Sequence, residues 1–190
     1  FDESVQFDKW AFFTKEAHLH ELHQLAKKVI NDPTFAVIVK SQFIYSIPSK
    51  LYSKDKIIQD AKSTGRFIEL SKGGLRNDIY PTQVALSSDL CISHKVGATA
   101  GLESALLGKK TLLLNSPPSF GFLDNLYQKS NILYSSIDEV IIAINSYRRG
   151  DLNKQELGDW KDIIHNFDSY IDNKAVIRLR EHIEKSFINT

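Results

Sequence analysis

The stretch Ser88-Asp89-Leu90-Cys91-Ile92-Ser93-His94-Lys95-Val96-Gly97-Ala98-Thr99-Ala100-Gly101-Leu102-Glu103-Ser104-Ala105-Leu106-Leu107-Gly108-Lys109-Lys110 decides the fold. Leu90 to Ser93 reads as a short buried strand. A glycine-containing turn follows, and then a helix from about Thr99 to Leu107. Gly108 closes that helix in the usual position just past a helix end. Thr111 to Leu114 is the next strand. A strand, a crossover helix and a strand in this order imply parallel pairing.

The same alternation continues on both sides. Upstream, about Glu3 to Asn31 reads as helix, with Leu22, Leu25, Ala26, Val29 and Ile30 at helical spacing. Asp32-Pro33 stops it. Phe35 to Val39 reads as a strand buried on both faces. Lys54 to Lys62 suggests a helix ended by Gly65, and Phe67 to Leu70 a strand. Ser71 to Asn77 is a loop with two glycines, and Asp78 to Ser88 a short helix that tolerates Pro81 in its first turn. Downstream come a long loop from Ser116 to Asn131 with room for a helical turn, a strand from Ile132 to Tyr134, and a helix from Ile137 to Tyr147. The tail, Lys174 to Phe187, is a charged amphipathic helix. The expected architecture is α/β: a Rossmann-like parallel sheet of about five strands with flanking helices. The domain organisation expected is an N-terminal helical segment over residues 1–33, a nucleotide-binding domain over 34–150 and a helical tail over 151–190. Folds of this class bind ligands beyond the carboxyl ends of their strands.

Composition narrows the function. The chain has 190 residues, 42% hydrophobic and 25% charged, which suits an ordinary globular core. A net charge of +1 offers no electrostatic footprint for nucleic acid. The one cysteine, Cys91, rules out an intramolecular disulfide and a cysteine-rich zinc site, and its apolar neighbours mark it as packing. No apolar run approaches the roughly 18–20 residues that span a bilayer. The chain starts at Phe1 and has no methionine, so a fragment of a larger protein, with a further N-terminal domain, or a processed form is expected.

The chemistry concentrates after the third strand. Small residues at a helix start let a ligand approach the backbone. The first-turn amides are unpaired and carry partial positive charge. Together they suit a phosphate or diphosphate. Thr99 could add a hydroxyl, His94 and Lys95 charge or a hydrogen bond, and Glu103 could accept the hydroxyls of a ribose. The same residues also suit plain structural roles: Gly97 a tight turn, Gly101 close helix–sheet packing, and Glu103 a complement to the helix dipole. His18, His20 and His23 do not have metalloprotease spacing and read as an exposed helix face, so no metal site is expected. No Asp-x-Asp occurs, which favours phosphate neutralisation by amides and side chains over a metal-held diphosphate. No nucleophile-elbow pattern is present. Lys109-Lys110 reads as a solvated turn.

The run Ser-Asp-Leu-Cys-Ile-Ser, then Gly-Ala-Thr-Ala-Gly-Leu-Glu-Ser-Ala-Leu-Leu-Gly-Lys-Lys and a strand, resembles the C-terminal domain of GT-B glycosyltransferases, above all bacterial enzymes of capsule, lipopolysaccharide and surface-carbohydrate synthesis. The likeness covers about Thr34 to Tyr147, and the tail segments Leu157-Gly158-Asp159-Trp160 and Phe167-Asp168-Ser169-Tyr170 also look like the closing part of such proteins. The resemblance implies one half of a GT-B architecture, a nucleotide-sugar donor and a glycan or glycolipid acceptor. It also implies a cytoplasmic location at the inner face of the plasma membrane, with no cofactor beyond the nucleotide sugar. It implies that Glu103 holds the donor ribose and that Thr99, Ala100 and Gly101 meet the donor phosphate. His94 would contact phosphate or base, and Lys40, at the end of the first strand, would face the donor. His94-Lys95-Val96 departs from the smaller loops of many such enzymes, so the base and the number of phosphates stay open. No catalytic residue is assigned, and transfer is not expected without the other half. Nucleotide-sugar 2-epimerases share the pattern, and a non-catalytic binding module is a third possibility.

Overall fold

The computed structural model describes residues 14–41, 52–70, 79–96, 99–116, 118–121, 123–151, 157–172 and 174–188. In chain order the elements are α1 (Lys15–Asn31), β1 (Val37–Lys40), α2 (Lys56–Ser63), β2 (Phe67–Leu70), α3 (Pro81–Leu86), β3 (Leu90–His94), α4 (Thr99–Leu106), β4 (Lys110–Leu114), α5 (Asp124–Lys129), β5 (Leu133–Tyr134), α6 (Ile137–Arg149) and α7 (Ala175–Ile188). The alternation expected from sequence is present. The expected start of the first helix near Glu3, the loop at Ser71 to Asn77, and Gly97 lie outside the described residues. The chain divides into a larger unit, Phe1–Trp160, and a smaller one, Lys161–Thr190.

Local chemistry sets the helix ends. Thr14 caps α1 by accepting from the Ala17 amide, and Asp55 caps α2 by accepting from Ile58. Pro81 occupies the first turn of α3, where its missing N–H costs nothing. Ser136 caps α6 through the Glu139 amide, and two acidic residues in its first turn oppose two arginines in its last, as the helix dipole favours.

Among the described residues the five parallel strands expected from sequence are present, but they are not laddered into a single sheet. They form two parallel sheets, β1-β2 and β3-β4-β5. Alternation along the strands places helices on opposite faces. Leu112 and Leu114 of β4 join Ile137, Val140, Ala143 and Ile144 of α6 in one core, with Leu90 and Ile92 packed against it. The intervening residues Ser93 and Leu113 meet Gly101 of α4 on the other face. A second core joins Leu22, Ala26 and Val29 of α1 to Val39 of β1, Ile58 and Ala61 of α2, and Phe67 of β2. Leu25 and Phe35 pack against both cores, so α1 ties the two sheets together although β1 and β3 are not laddered.

After α6 the chain returns along the start of β4. Thr111 donates its amide to Gly158 O at 3.3 Å, and Trp160 Nε1 donates to Thr111 O at 2.8 Å. A side chain at Gly158 would come within 3.0 Å of the Thr111 backbone, so only glycine lets this turn lie so close to β4. In the smaller unit, one guanidinium nitrogen of Arg178 donates to both carboxylate oxygens of Asp172, and the guanidinium stacks 3.8 Å over the Tyr170 ring. Among the described residues, no helix is long and apolar enough to cross a membrane.

Candidate functional site

β1 and β3 end at Lys40 and His94, and both side chains are buried. Between the two strands runs a cleft of about 810 Å³, lined by residues 35–40, by residues 90–94, and by His18, Glu21, Leu22 and Leu25 of α1. Polar side chains line both ends of the cleft: Thr34, Ser88, Asp89, Lys109 and Arg148 at the end where the strands begin, and His18, Glu21, Lys40 and His94 at the end where they terminate. The latter is the carboxyl-end position at which open α/β sheets hold ligands.

Lys40 Nζ donates to Ser41 O at 2.8 Å. Burial pushes its pKa below the ordinary 10.5. A desolvated ammonium next to a neutral carbonyl gains from any anion brought beside it. His94 Nε2 lies 2.9 Å from Glu21 Oε2. Glu21 Oε1 is buried and has no hydrogen-bond partner among the described residues. One turn earlier on α1, His18 Nδ1 lies 2.9 Å from Tyr52 Oη, and Tyr52 donates its proton to Lys15 O at 3.1 Å. Tyr52 therefore accepts from His18 Nδ1–H, which sets the tautomer of that imidazole. The site thus offers a cation, an imidazole–carboxylate pair and a second fixed imidazole.

Of the residues expected from sequence, Lys40 and His94 line one cleft. Thr99 opens α4 and is exposed, Ala100 and Glu103 are half-buried on the same helix, and none of the three lines the cleft. Gly101 is buried against β3 and β4: an added Cβ would lie 2.9 Å from Ser93 Cβ and 3.3 Å from Leu113 Cδ2. Close helix–sheet packing accounts for this glycine. Lys95 donates to Ser119 O at 2.6 Å and pairs with Asp124 at 2.7 Å, so its charge fastens the loop after β4. Cys91 is buried, and that burial pushes its thiol pKa up.

The reading of the three histidines as an exposed face is corrected. His18 is buried, His23 bonds Asp55 at 2.7 Å, and only His20, 3.3 Å from Asp138, is exposed. The physical reason is that α1 is covered on several sides, by β1, α2 and α6. Glu21 and His18 were not picked out from sequence as site residues. A signal exists: both sit in the apolar register of α1, in line with Leu22, Leu25 and Ala26, where a polar side chain needs a buried partner.

Comparison with known proteins yields no match to a family model, to a curated protein or to a solved structure.

Proposed function

We propose that this chain is the donor-binding part of a GT-B-type glycosyltransferase, moving a sugar from a nucleotide sugar to a surface glycan or glycolipid acceptor. The observation that carries the proposal is that Lys40 and His94, each the last residue of a parallel strand, line one cleft. The resemblance over residues 88–110 supplies the substrate class. In this reading Lys40 neutralises donor phosphate as the glycosidic bond breaks, and it does so most strongly where water is excluded. Glu21 orients His94 toward the same phosphate or the base. The first-turn amides of α4, Thr99 and Glu103 lie outside this cleft, and in this reading they meet the donor phosphate and ribose where the donor extends beyond it. The acceptor and the base that activates it belong to the other half of the enzyme.

The buried Glu21–His94 pair also favours a second reading, a nucleotide-sugar 2-epimerase-like half. A carboxylate-held imidazole is a competent proton carrier. Product analysis separates the two, since an epimerase converts the donor without an acceptor.

The direct test titrates UDP, GDP, CMP and their sugar conjugates into the full-length protein, wild type and Lys40→Met. One nucleotide series is expected to bind, and the variant to bind it at least about tenfold more weakly, the loss of one charge-assisted contact. Failure of every nucleotide to bind ends the proposal.

A further inference from the structure

Lys40 is the last residue of β1 and is 7% exposed. Its Nζ donates to Ser41 O at 2.8 Å, and among the described residues it makes no ion pair. Other lysines are held differently. Lys28 pairs with Asp32 at 2.9 Å, Lys62 with Glu69 at 2.9 Å and Lys95 with Asp124 at 2.7 Å. Lys109 and Lys110 donate to carbonyls, but both are only half-buried. Lys40 combines burial with a neutral partner.

The groups around it supply no counter-charge. The elements packed against β1 include α1, β2 and α3, and β3 faces it across the cleft. Glu21 of α1 lines the same cleft, but its carboxylate is bonded to His94 of β3 at 2.9 Å. His18 of α1 brings no negative charge. Glu69 of β2, opposite Val39 in the ladder, is bonded to Lys62. The helix α3 carries no titratable side chain.

Burial without a counter-ion disfavours the ammonium and holds the Lys40 pKa below 10.5. The neutral amine keeps its lone pair, and desolvation is one of the ways in which lysines become nucleophiles. The cleft of about 810 Å³ gives a small molecule room beside it.

We propose that Lys40 is a nucleophile, at which an aldehyde that enters the cleft is captured as an imine. The nitrogen lone pair bonds to the carbonyl carbon. The carbonyl oxygen leaves as water with the two protons of the amine, and no oxidant or reductant takes part. This is a property of the ligand-free cleft and holds whether or not a nucleotide binds there. A phosphate beside Lys40 would hold it as the ammonium, so imine formation and donor binding exclude each other.

The test uses the full-length protein without nucleotide. Trace acetylation with acetic anhydride across a pH series, read by mass spectrometry of peptides, reports the free amine at each lysine. The Lys40 profile is expected to rise at lower pH than those of the exposed Lys27, Lys54 and Lys129. In guanidinium chloride, where Lys40 meets water, the profiles should coincide. Propanal with cyanoborohydride then turns any imine into a stable propyl amine. At neutral pH Lys40 should carry more propyl label than the three exposed lysines, and Lys40→Met should remove that label. The wild-type profiles decide the matter even where this variant does not fold. A native Lys40 profile that coincides with the exposed lysines would overturn the proposal. So would a native Lys40 that takes up less propyl label than they do.

Discussion

His94 Nε2 lies 2.9 Å from Glu21 Oε2, joining the end of β3 to the first half of α1 across 73 positions of sequence. Both side chains are about nine-tenths buried. Removing the imidazole alone orphans a buried carboxylate. His94→Leu is expected to destabilise the fold by about 1–3 kcal/mol, the usual desolvation cost of such a group. Adding Glu21→Leu removes both partners and should recover much of that loss. Urea denaturation of the wild type, both single variants and the double variant measures the coupling, and strictly additive losses would show that the pair is not coupled.

Gly101 has no room for a methyl group, because Ser93 Cβ would be 2.9 Å from it. Gly101→Ala should cost about 1–3 kcal/mol through overpacking. The better helix propensity of alanine, about 1 kcal/mol, opposes this only in part. Ser93→Gly in the same chain should restore most of the loss. A Gly101→Ala protein that melts higher than wild type would refute the packing argument.

Lys40 carries a pKa lowered by burial from 10.5. A phosphate bound beside it favours the ammonium and raises that value. At alkaline pH, between the lowered value and 10.5, nucleotide binding should therefore take up protons. Calorimetry in two buffers of different ionisation enthalpy reads the uptake, which Lys40→Met should abolish. In the ligand-free protein the sign follows from linkage. The unfolded chain binds more protons in this window, so stability rises as pH climbs toward 10.5. Nucleotide binding with no buffer dependence at alkaline pH would separate Lys40 from the phosphate.

Asp32 is held well below its ordinary 3.8, first by the Thr34 hydroxyl, then by Lys28, the Thr34 amide and Arg148. These contacts pin the turn between α1 and β1 to α6. A depressed carboxylate contributes stability that is complete above 3.8 and is lost as pH falls through the folded value. Asp32→Asn should flatten the acid limb of a plot of Tm against pH while leaving its shape at neutral pH unchanged. Identical acid limbs in both proteins would discard Asp32 as a source of acid lability.

Glu103 separates a ligand contact from a dipole complement. If it holds the donor ribose, Glu103→Gln weakens nucleotide binding to the full-length protein by about 1–3 kcal/mol, as for hydrogen bonds to charged groups. The accompanying change in fold stability is at most about 0.3–1 kcal/mol. Unchanged affinity with a lowered Tm assigns Glu103 to the helix alone.

Local physics makes most of the elements legible in the sequence. Phe67 to Leu70 is a strand in both readings, because a short apolar run between a glycine and a loop has few alternatives. Gly108 ends α4 with a φ of +75°, a conformation that glycine adopts without steric cost. Lys40 and His94 stand out in the sequence because each directly follows a strand-forming run, and both line the cleft. The tertiary structure alone decides that Glu21 meets His94, that Lys95 is tied to Asp124, and that β1 and β3 flank a cleft instead of sharing a ladder. Periodicity specifies which side of an element is buried. Which partner waits there, tens of residues away, depends on how helices of fixed length and strands of fixed register pack, and that is a property of the whole fold.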